Sequence, residues 1–362
     1  MNYRISQILS TTTLTDNRTD SYDINISDPI SRIVLTLRGT NADSVPDGHP
    51  AKGISKIELV DGSDVLYSLS GEEAQATDFY DTGITPLNVV SYVDANIWTC
   101  LCNINFGRWL WDTDLALDPK HFKNLQIKVT HKVADTAGSS TTSTTSTLQI
   151  HAFCFDQKSV SPRGFLMNKE IYAYTIGSSG SYEYIDLPTD YPIRRMMVQA
   201  LYVGYETHQV VNGIKISEDN DKRVVMDEAV SQYNKLMAPE YGKWEEANVT
   251  AITTGTVAFY TAVDYEYAIG IIPTVDADTT QQLTAYPLGG RYYLTGAGAK
   301  EAILNIEGYA PHGCIPIWCG DQDDVSDWYD VRRIGSLVAR LKAGSLGGTA
   351  TARFCVQQYR TY

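Results

Sequence analysis

The chain has 362 residues, of which 43% are hydrophobic and 20% are charged, with a formal net charge of −14 and a pI of about 4.8. This composition is typical of globular proteins, and the length fits two domains of about 180 residues each. Because an acidic surface repels phosphate backbones, the charge excludes a basic nucleic-acid-binding face, and we expect no direct nucleic-acid binding.

Membrane and secretion signals are missing from the sequence. It contains no run of about 18 apolar residues, which a spanning helix requires. The start, MNYRISQILSTTT, lacks the apolar core and cleavage site of a signal peptide, so we expect the chain to fold in a cytosol. The six cysteines lack the paired C-x2-C spacing of zinc sites, and we interpret them as reduced cysteines, mostly within strands.

Alternating apolar and polar residues predict strands along most of the chain. The segment RIVLTLRG places Ile33, Leu35 and Leu37 on one face, and segments 125–133 and 194–204 alternate in the same way. Short strands separated by Gly, Asp, Asn and Pro residues are typical of a β-sandwich or a β-barrel.

Residues 57–74 (IELVDGSDVLYSLSGEEA) combine two strands and a helix in one short segment. Asp61 and Gly62 predict a tight turn between the strands. Ser70 and Glu73 have the spacing of a capping box, which predicts the start of a short helix.

This hairpin and helix occur a second time, in the segment IKISEDNDKRVVMDEAV. Ile57 corresponds to Ile214 and Leu59 corresponds to Ile216, and we expect the second helix to begin at an Asp227 cap. A recurring supersecondary unit indicates that a larger unit was duplicated.

Two later matches keep the same order along the chain. Residues 118–129 (DPKHFKNLQIKV) resemble residues 330–341 (DVRRIGSLVARL), and FCF at Phe153 resembles FCV at Phe354. The second copy is longer between its helix and its late strands, and we expect this extra length to lie in surface loops.

The repeat predicts the domain organisation. We expect an N-terminal domain at 1–160 whose residues 1–28 form a basal arm, a linker at 161–170, and a C-terminal domain at 171–362 with an insertion at about 239–309. The linker is predicted from the Pro- and Gly-containing segment that follows an apolar strand pattern.

Two surface features are predicted from composition. The Ser- and Thr-rich segment from Asp135 to Thr147 is expected to be an exposed loop, because small hydroxyl side chains offer no core. The insertion is rich in tyrosine, and we expect Tyr292 and Tyr293 to contact a neighbouring subunit, because tyrosine is favoured at interfaces.

Motifs for catalysis and for cofactor binding are weak. The glycine spacing in 289–302 does not fit a Walker loop, and GSSGS at 177–181 is not a nucleophile elbow. Segment 321–330 (DQDDVSDWYD) lacks the glycine and terminal glutamate of an EF-hand, so a solvated acidic loop is favoured over a calcium site. We therefore predict that the protein is not an enzyme, and we assign no catalytic, cofactor-binding or metal-binding residue.

Three segments carry a resemblance to a known family: 57–73, 103–129 (NINFGRWLWDTDLALDPKHFKNLQIKV) and 184–204 (YIDLPTDYPIRRMMVQALYVG). In these segments the sequence resembles the double jelly-roll major capsid proteins of tailless icosahedral viruses, the lineage of tectiviruses, corticoviruses and adenovirus. The resemblance implies an all-β fold with two tandem eight-stranded jelly rolls, short helices and an expanded loop region in the second roll.

The same resemblance implies the function. It implies a major capsid protein, in a bacteriophage or a related virus, that forms a homotrimer with a pseudo-hexameric outline and tiles an icosahedral shell. The implied partners are neighbouring capsomers, penton or minor capsid proteins and an internal viral membrane at the base, and the implied location is the virion, assembled in the host cytoplasm. A β-sandwich glycan-binding or adhesin-type surface protein stays open as the alternative, followed by a glycan hydrolase with two carboxylates in a cleft.

Overall fold

The computed structural model describes residues 1–15, 17–136, 146–252, 255–273, 289–296, 300–346, 348 and 350–362. Within these ranges, none of the helices is both long and apolar enough to cross a membrane. All six cysteines lie in the described ranges and are free, and all except Cys319 are buried.

The N-terminal half forms two sheets and one longer helix. Its elements are β1 (Tyr3–Thr13), β2 (Arg18–Asp23), β3 (Ile30–Thr40), β4 (Ile54–Asp61), β5 (Asp64–Leu69), α1 (Gly71–Thr82), β6 (Val90–Tyr92), β7 (Ile97–Asn105), β8 (Leu125–His131) and β9 (Thr147–Phe155). The strand orders are β1-β9-β3-β7 and β2-β8-β4-β5. The two sheets enclose an apolar core that includes Leu35 and Ile127.

The C-terminal half has the same plan with additional elements. They are β10 (Gly164–Thr175), β11 (Tyr182–Asp186), β12 (Ile193–Leu201), α2 (Thr207–Val210), β13 (Val211–Glu218), β14 (Arg223–Ala229), α3 (Val230–Tyr241), β15 (Trp244–Ile252), β16 (Gly255–Tyr260), β17 (Tyr265–Pro273), β18 (Arg291–Gly296), β19 (Lys300–Tyr309), β20 (Cys314–Trp318), β21 (Leu337–Ala343) and β22 (Thr351–Thr361). The strand orders β10-β22-β12-β20 and β11-β21-β13-β14 repeat those of the first half. In the described ranges, each half therefore contributes eight strands to its own sandwich, which confirms the predicted fold.

Strand pairing confirms the first two matches of the sequence repeat. Ile57 in β4 faces Val129 in β8, and Ile214 in β13 faces Leu341 in β21. Both hairpins then lead directly into a helix of 12 residues, α1 or α3. The second helix begins at Val230 rather than at an Asp227 cap, because Asp227 still pairs within the β13–β14 hairpin.

The third match, between Phe153 and Phe354, is shifted. Arg32 follows a bulge in β3, and Arg195 follows the equivalent bulge in β12. Arg32 pairs with Phe153 of β9, whereas Arg195 pairs with Gln357 of β22. Phe153 therefore corresponds to Gln357. The two phenylalanines lie on opposite faces of their sheets, since Phe354 is buried in the second core and Phe153 is on the outer face. A shift by an odd number of residues exchanges the faces of a strand.

The insertion packs on the first half of the chain. Strands β17, β19 and β15 continue into β6, where Val249 pairs in parallel with Ser91. Tyr292 is fully buried inside its own chain, stacked on Phe259 with ring centroids 5.6 Å apart. The predicted contact of Tyr292 with a neighbouring subunit is therefore wrong.

The remaining sequence expectations concern segment boundaries. Residues 1–28, expected to form an arm, contain β1 and β2, which are edge strands paired with β9 and β8. Residues 164–170 of the expected linker lie in β10. Most of the Ser- and Thr-rich segment, 137–145, lies outside the described residues. The division into two domains near residue 160 stays a prediction.

Candidate functional site at the junction of the two halves

A parallel strand pair joins the two halves into one eight-stranded sheet. Tyr67 and Ser68 of β5 pair with Asn168 and Lys169 of β10. The sheet order is therefore β2-β8-β4-β5-β10-β22-β12-β20. Because each half has its edge covered by the other, neither β5 nor β10 presents a free edge at this pair.

Helix α1 packs between the two halves. It starts at a capping box, in which the Glu73 amide donates to Ser70 Oγ at 3.2 Å and the Ser70 amide donates to Glu73 Oε2 at 2.7 Å. It ends at Gly83, whose φ of 68° favours glycine. Every residue from Glu73 to Tyr80 is buried, and the Tyr80 hydroxyl donates to the Cys314 carbonyl of β20 at 2.8 Å.

A buried charge cluster lies where α1 meets the second half. Oδ1 of Asp81 is 2.5 Å from Nη1 of Arg194 and 2.8 Å from Nη2 of Arg195. Gln357 of β22 donates to both carboxylate oxygens of Asp81, at 3.1 and 3.2 Å. The side chains of the three charged residues are at most 2% exposed.

This cluster buries two cations against one anion. Burial lowers the pKa of the Arg194 guanidinium, and Asp81 opposes that effect. Buried ion pairs contribute little net stability, but removal of one partner is costly because it leaves an uncompensated charge. The cluster therefore specifies the position of α1 against strands β12 and β22.

The backbone of the acidic segment 321–330 accepts hydrogen bonds at the same junction. The Gln322 carbonyl accepts from Arg194 Nε at 2.9 Å, and the Asp323 carbonyl accepts from Arg108 Nη1 of the first half at 2.9 Å. In the described ranges no group of three or more His, Cys, Asp or Glu residues has an arrangement that could hold a metal ion.

A second polar contact ties the insertion to the first half. His49 Nε2 lies 3.3 Å from Glu246 Oε2, and both side chains are buried. Burial raises the pKa of Glu246, but the neighbouring His49 and the hydrogen bonds with Ala262 and Asn248 together make the net shift downward. The His312 ring, 4.9 Å from that of His49, has a pKa well below its usual value because it is buried and lies beside His49.

The comparisons with known proteins agree with this geometry. No family model and no curated protein matches the chain. The STIV MCP aligns over 99% of this chain and 97% of its own, with 10% identity and a TM-score of 0.63. The major capsid protein P2 from bacteriophage PM2 covers 99% and 98%, with 11% identity and a TM-score of 0.57. PBCV-1 VP54 covers 99% and 94%, with 11% identity and a TM-score of 0.56.

The chain has the double jelly-roll fold. Sequence reasoning assigned no site residue and did not find the junction of the two jelly rolls, because Asp81, Arg194 and Gln357 are more than a hundred residues apart from one another. The one available signal was the pair Arg194-Arg195 at the start of an apolar strand, where two cations must find buried partners.

Proposed function

We propose that this protein is the major capsid protein of an icosahedral virus and that its function is assembly. The observation that carries the proposal is the duplication itself: two equivalent jelly rolls lie side by side in one chain and share a continuous sheet. The full-length likeness to the STIV MCP and to the major capsid protein P2 of PM2 supports it.

In this proposal the chain forms a homotrimer. Each chain contributes two similar jelly rolls, so three chains arranged in a ring give an outline with six similar corners. Head-to-tail contacts between copies close into a ring when the rotation between them fits. Such a pseudo-hexameric capsomer tiles a shell, and its neighbours are other capsomers, with penton or minor capsid proteins at special positions and an internal membrane at the base.

The proposed location is the virion, with assembly in the host cytoplasm, and the proposed role requires no enzymatic activity. The formal net charge of −14 suits a shell component that does not bind nucleic acid directly.

The test is the state of the purified full-length protein. We expect light scattering to give a mass near three times 40.1 kDa, and negative-stain electron microscopy to show particles with a six-cornered outline. A monomer at micromolar concentration, or a trimer without that outline, would contradict the proposal. Glycan-array binding by such a monomer would favour the adhesin-type alternative.

A further inference from the structure

The two equivalent helices differ in how much of their surface is covered. In α1, one stripe faces the second jelly roll and is buried, with the Asp81 side chain 1% exposed. The corresponding stripe of α3 is exposed throughout. The corresponding positions, in order, are Glu73, Ala76, Thr77, Tyr80 and Asp81 in α1, and Gln232, Lys235, Leu236, Pro239 and Glu240 in α3.

The equivalent strands show the same contrast. Strand β5 is covered by β10, whereas its counterpart β14 is the edge of its sheet and is exposed along most of its length. Strand β1, the counterpart of β10, is also an edge, and its Ile5 is 61% exposed. Among the residues that the structure describes, β14, β1 and α3 are therefore open, whereas the equivalent β5, β10 and α1 are covered at the internal junction.

The outer face of the β1-β9-β3-β7 sheet is open as well. In the second jelly roll this face is covered by α1, where Thr77 contacts Met197. In the first jelly roll it forms a cavity of about 530 Å³ whose wall includes Val34, the counterpart of Met197. Ile84 and Leu87, which are 70% and 77% exposed, extend this apolar surface.

We propose that the β14 edge and helix α3 of one copy bind the β1 edge and the outer face of the β1-β9-β3-β7 sheet of a second copy. This contact repeats between chains the junction that joins the two jelly rolls within one chain. The inference rests on the proposed trimer and names the residues that form it.

Charge complementarity supports the first predicted contact. Within the chain, Asp81 of α1 pairs with Arg195 of β12. Between copies, the equivalent positions are Glu240 of α3 and Arg32 of β3. Glu240 is exposed, and Arg32 lies on the wall of the open cavity, so the repeated contact again places a carboxylate beside a guanidinium. Arg32 also donates to Asn105 Oδ1 at 2.5 Å and lies 3.9 Å from Asp78 in its own chain, and Glu240 would add a second carboxylate to it.

A second ion pair has an equivalent between copies, in which the acidic and the basic residue have exchanged positions. Within the chain, Asp64 at the start of β5 lies 2.5 Å from Arg360 of β22. Between copies, the equivalent positions are Arg223 at the start of β14 and Asp156 after β9. Both are exposed, although Arg223 also lies 2.6 Å from Glu218 and Asp156 lies 4.0 Å from Arg4 in the same chain. Because both residues of the pair have changed sign, the contact between copies stays attractive.

The strand contact defines the register. Asn168 faces Tyr67 in the internal pair, so Ile5 of one copy faces Met226 of the next in a parallel pair. Leu236, which is 57% exposed, then packs on Val34 of the neighbouring copy. Each copy has one surface of each kind, so the contact is head to tail, and the proposed trimer is the ring in which three such contacts close.

Disulfide trapping tests the register in the full-length protein. Adjacent strands place facing Cα atoms about 5 Å apart, within the range of a disulfide. Ile5→Cys together with Met226→Cys is expected to give a covalent trimer on non-reducing gels that reducing agent dissolves. Either single variant, with the native cysteines unchanged, is the matched control and should give no such band.

Two further sets of variants test the chemistry of the contact. Leu236→Asp should raise the concentration at which the trimer dissociates by about tenfold or more, whereas Val45→Asp, at a 53% exposed position outside the contact, should leave it unchanged. Arg223→Asp and Asp156→Arg should each weaken the trimer, and the double variant should restore it.

The outcomes separate this inference from the proposed function. A wild-type trimer that shows no cross-link and is unaffected by Leu236→Asp would overturn the inference and leave the capsid proposal in place. A wild-type protein that is monomeric would overturn both. Cross-linking with rescue in the charge-exchange variant would establish the contact.

Discussion

Asp81 and Arg194 form a 2.5 Å ion pair in which each side chain is 1% exposed, and this pair joins the helix of one jelly roll to a strand of the other. Because water does not screen this pair, the electrostatic attraction between the two side chains is strong, and it acts at the contact between the two jelly rolls. A directional buried contact at this junction limits errors in the relative orientation of the two jelly rolls.

We predict that Asp81→Asn destabilises the monomer strongly. The substitution leaves Arg194 and Arg195 buried without a counter-charge, which costs about 3–5 kcal/mol of unfolding free energy. The exposed pair of Asp330 and Arg332 gives the control, because Asp330→Asn should cost about 1 kcal/mol or less. Urea unfolding of the three proteins measures the difference, and equal losses in both variants would contradict it.

A second prediction concerns the attachment of the insertion. Trp244 is fully buried, with its ring 5.5 Å from Phe79 of α1 and 5.7 Å from His312. Trp244→Ala should cost about 3–5 kcal/mol, because it removes a large side chain from a closed core.

Trp109 provides the comparison for this variant, since it is 49% exposed and Trp109→Ala should have a much smaller effect. Thermal unfolding monitored by circular dichroism measures both. If the two variants lost the same stability, the insertion would not be bound to the first jelly roll through Trp244.

The third prediction concerns Tyr292, whose burial overturned an expectation from the sequence. Tyr292→Ala should lower the unfolding free energy of the monomer by about 3–5 kcal/mol, because the ring stacks on Phe259 inside the chain. Dissociation of the proposed trimer, measured below the unfolding transition, should be unchanged. Tyr293, which is half-buried beside Arg291, is the matched neighbour and should tolerate alanine better.

Local patterns in the sequence were sufficient for much of the fold. The alternation around Ile57 and Ile214 predicted strands that the structure pairs in equivalent registers, because one buried face per strand constrains its partner. The capping box at Ser70 predicted the start of α1, because its hydrogen bonds join residues three positions apart. These features depend on near neighbours and are therefore visible in a linear sequence.

Long-range contacts were not predictable in the same way. Strand β6 has three residues and no pattern of its own, and it is ordered by pairing with β15, far along the chain. The match of Phe153 with Phe354 failed because identical letters on opposite faces of a strand do not mark equivalent positions. The partners of Arg194 could not be inferred either, since 43 acidic residues offered equal candidates.

The last prediction concerns pH and Asp264. This side chain is buried beside α2, where Oδ2 accepts hydrogen bonds from the amide and the hydroxyl of Thr207. Burial raises the pKa of Asp264 to about 7, despite the hydrogen bonds from Thr207, and Glu206 adds to the rise. The neutral acid is therefore the main form in the folded protein below about pH 7.

The direction of the pH effect follows from this shift. The folded-state pKa lies above the unfolded value of about 3.9, so the stability is fully present below about pH 4 and is lost as the pH rises through about 7. The loss amounts to about 4 kcal/mol well above pH 7, at about 1.4 kcal/mol per pKa unit. Asp264→Asn removes the ionisation, so it should stabilise the protein relative to wild type by about 4 kcal/mol at pH 8 but by only about 1.5 kcal/mol at pH 5, where most of the loss has not yet occurred.

Urea unfolding of wild type and of Asp264→Asn at both pH values measures this difference. His312, whose pKa is lowered, affects both proteins equally, so the comparison isolates Asp264. Asp330→Asn is the control, because the exposed Asp330 has a pKa of about 2 and stays ionised from pH 5 to pH 8. An effect of Asp264→Asn that is the same at pH 5 and pH 8 would show that Asp264 is ionised throughout, and the assignment of a neutral buried acid would then be wrong.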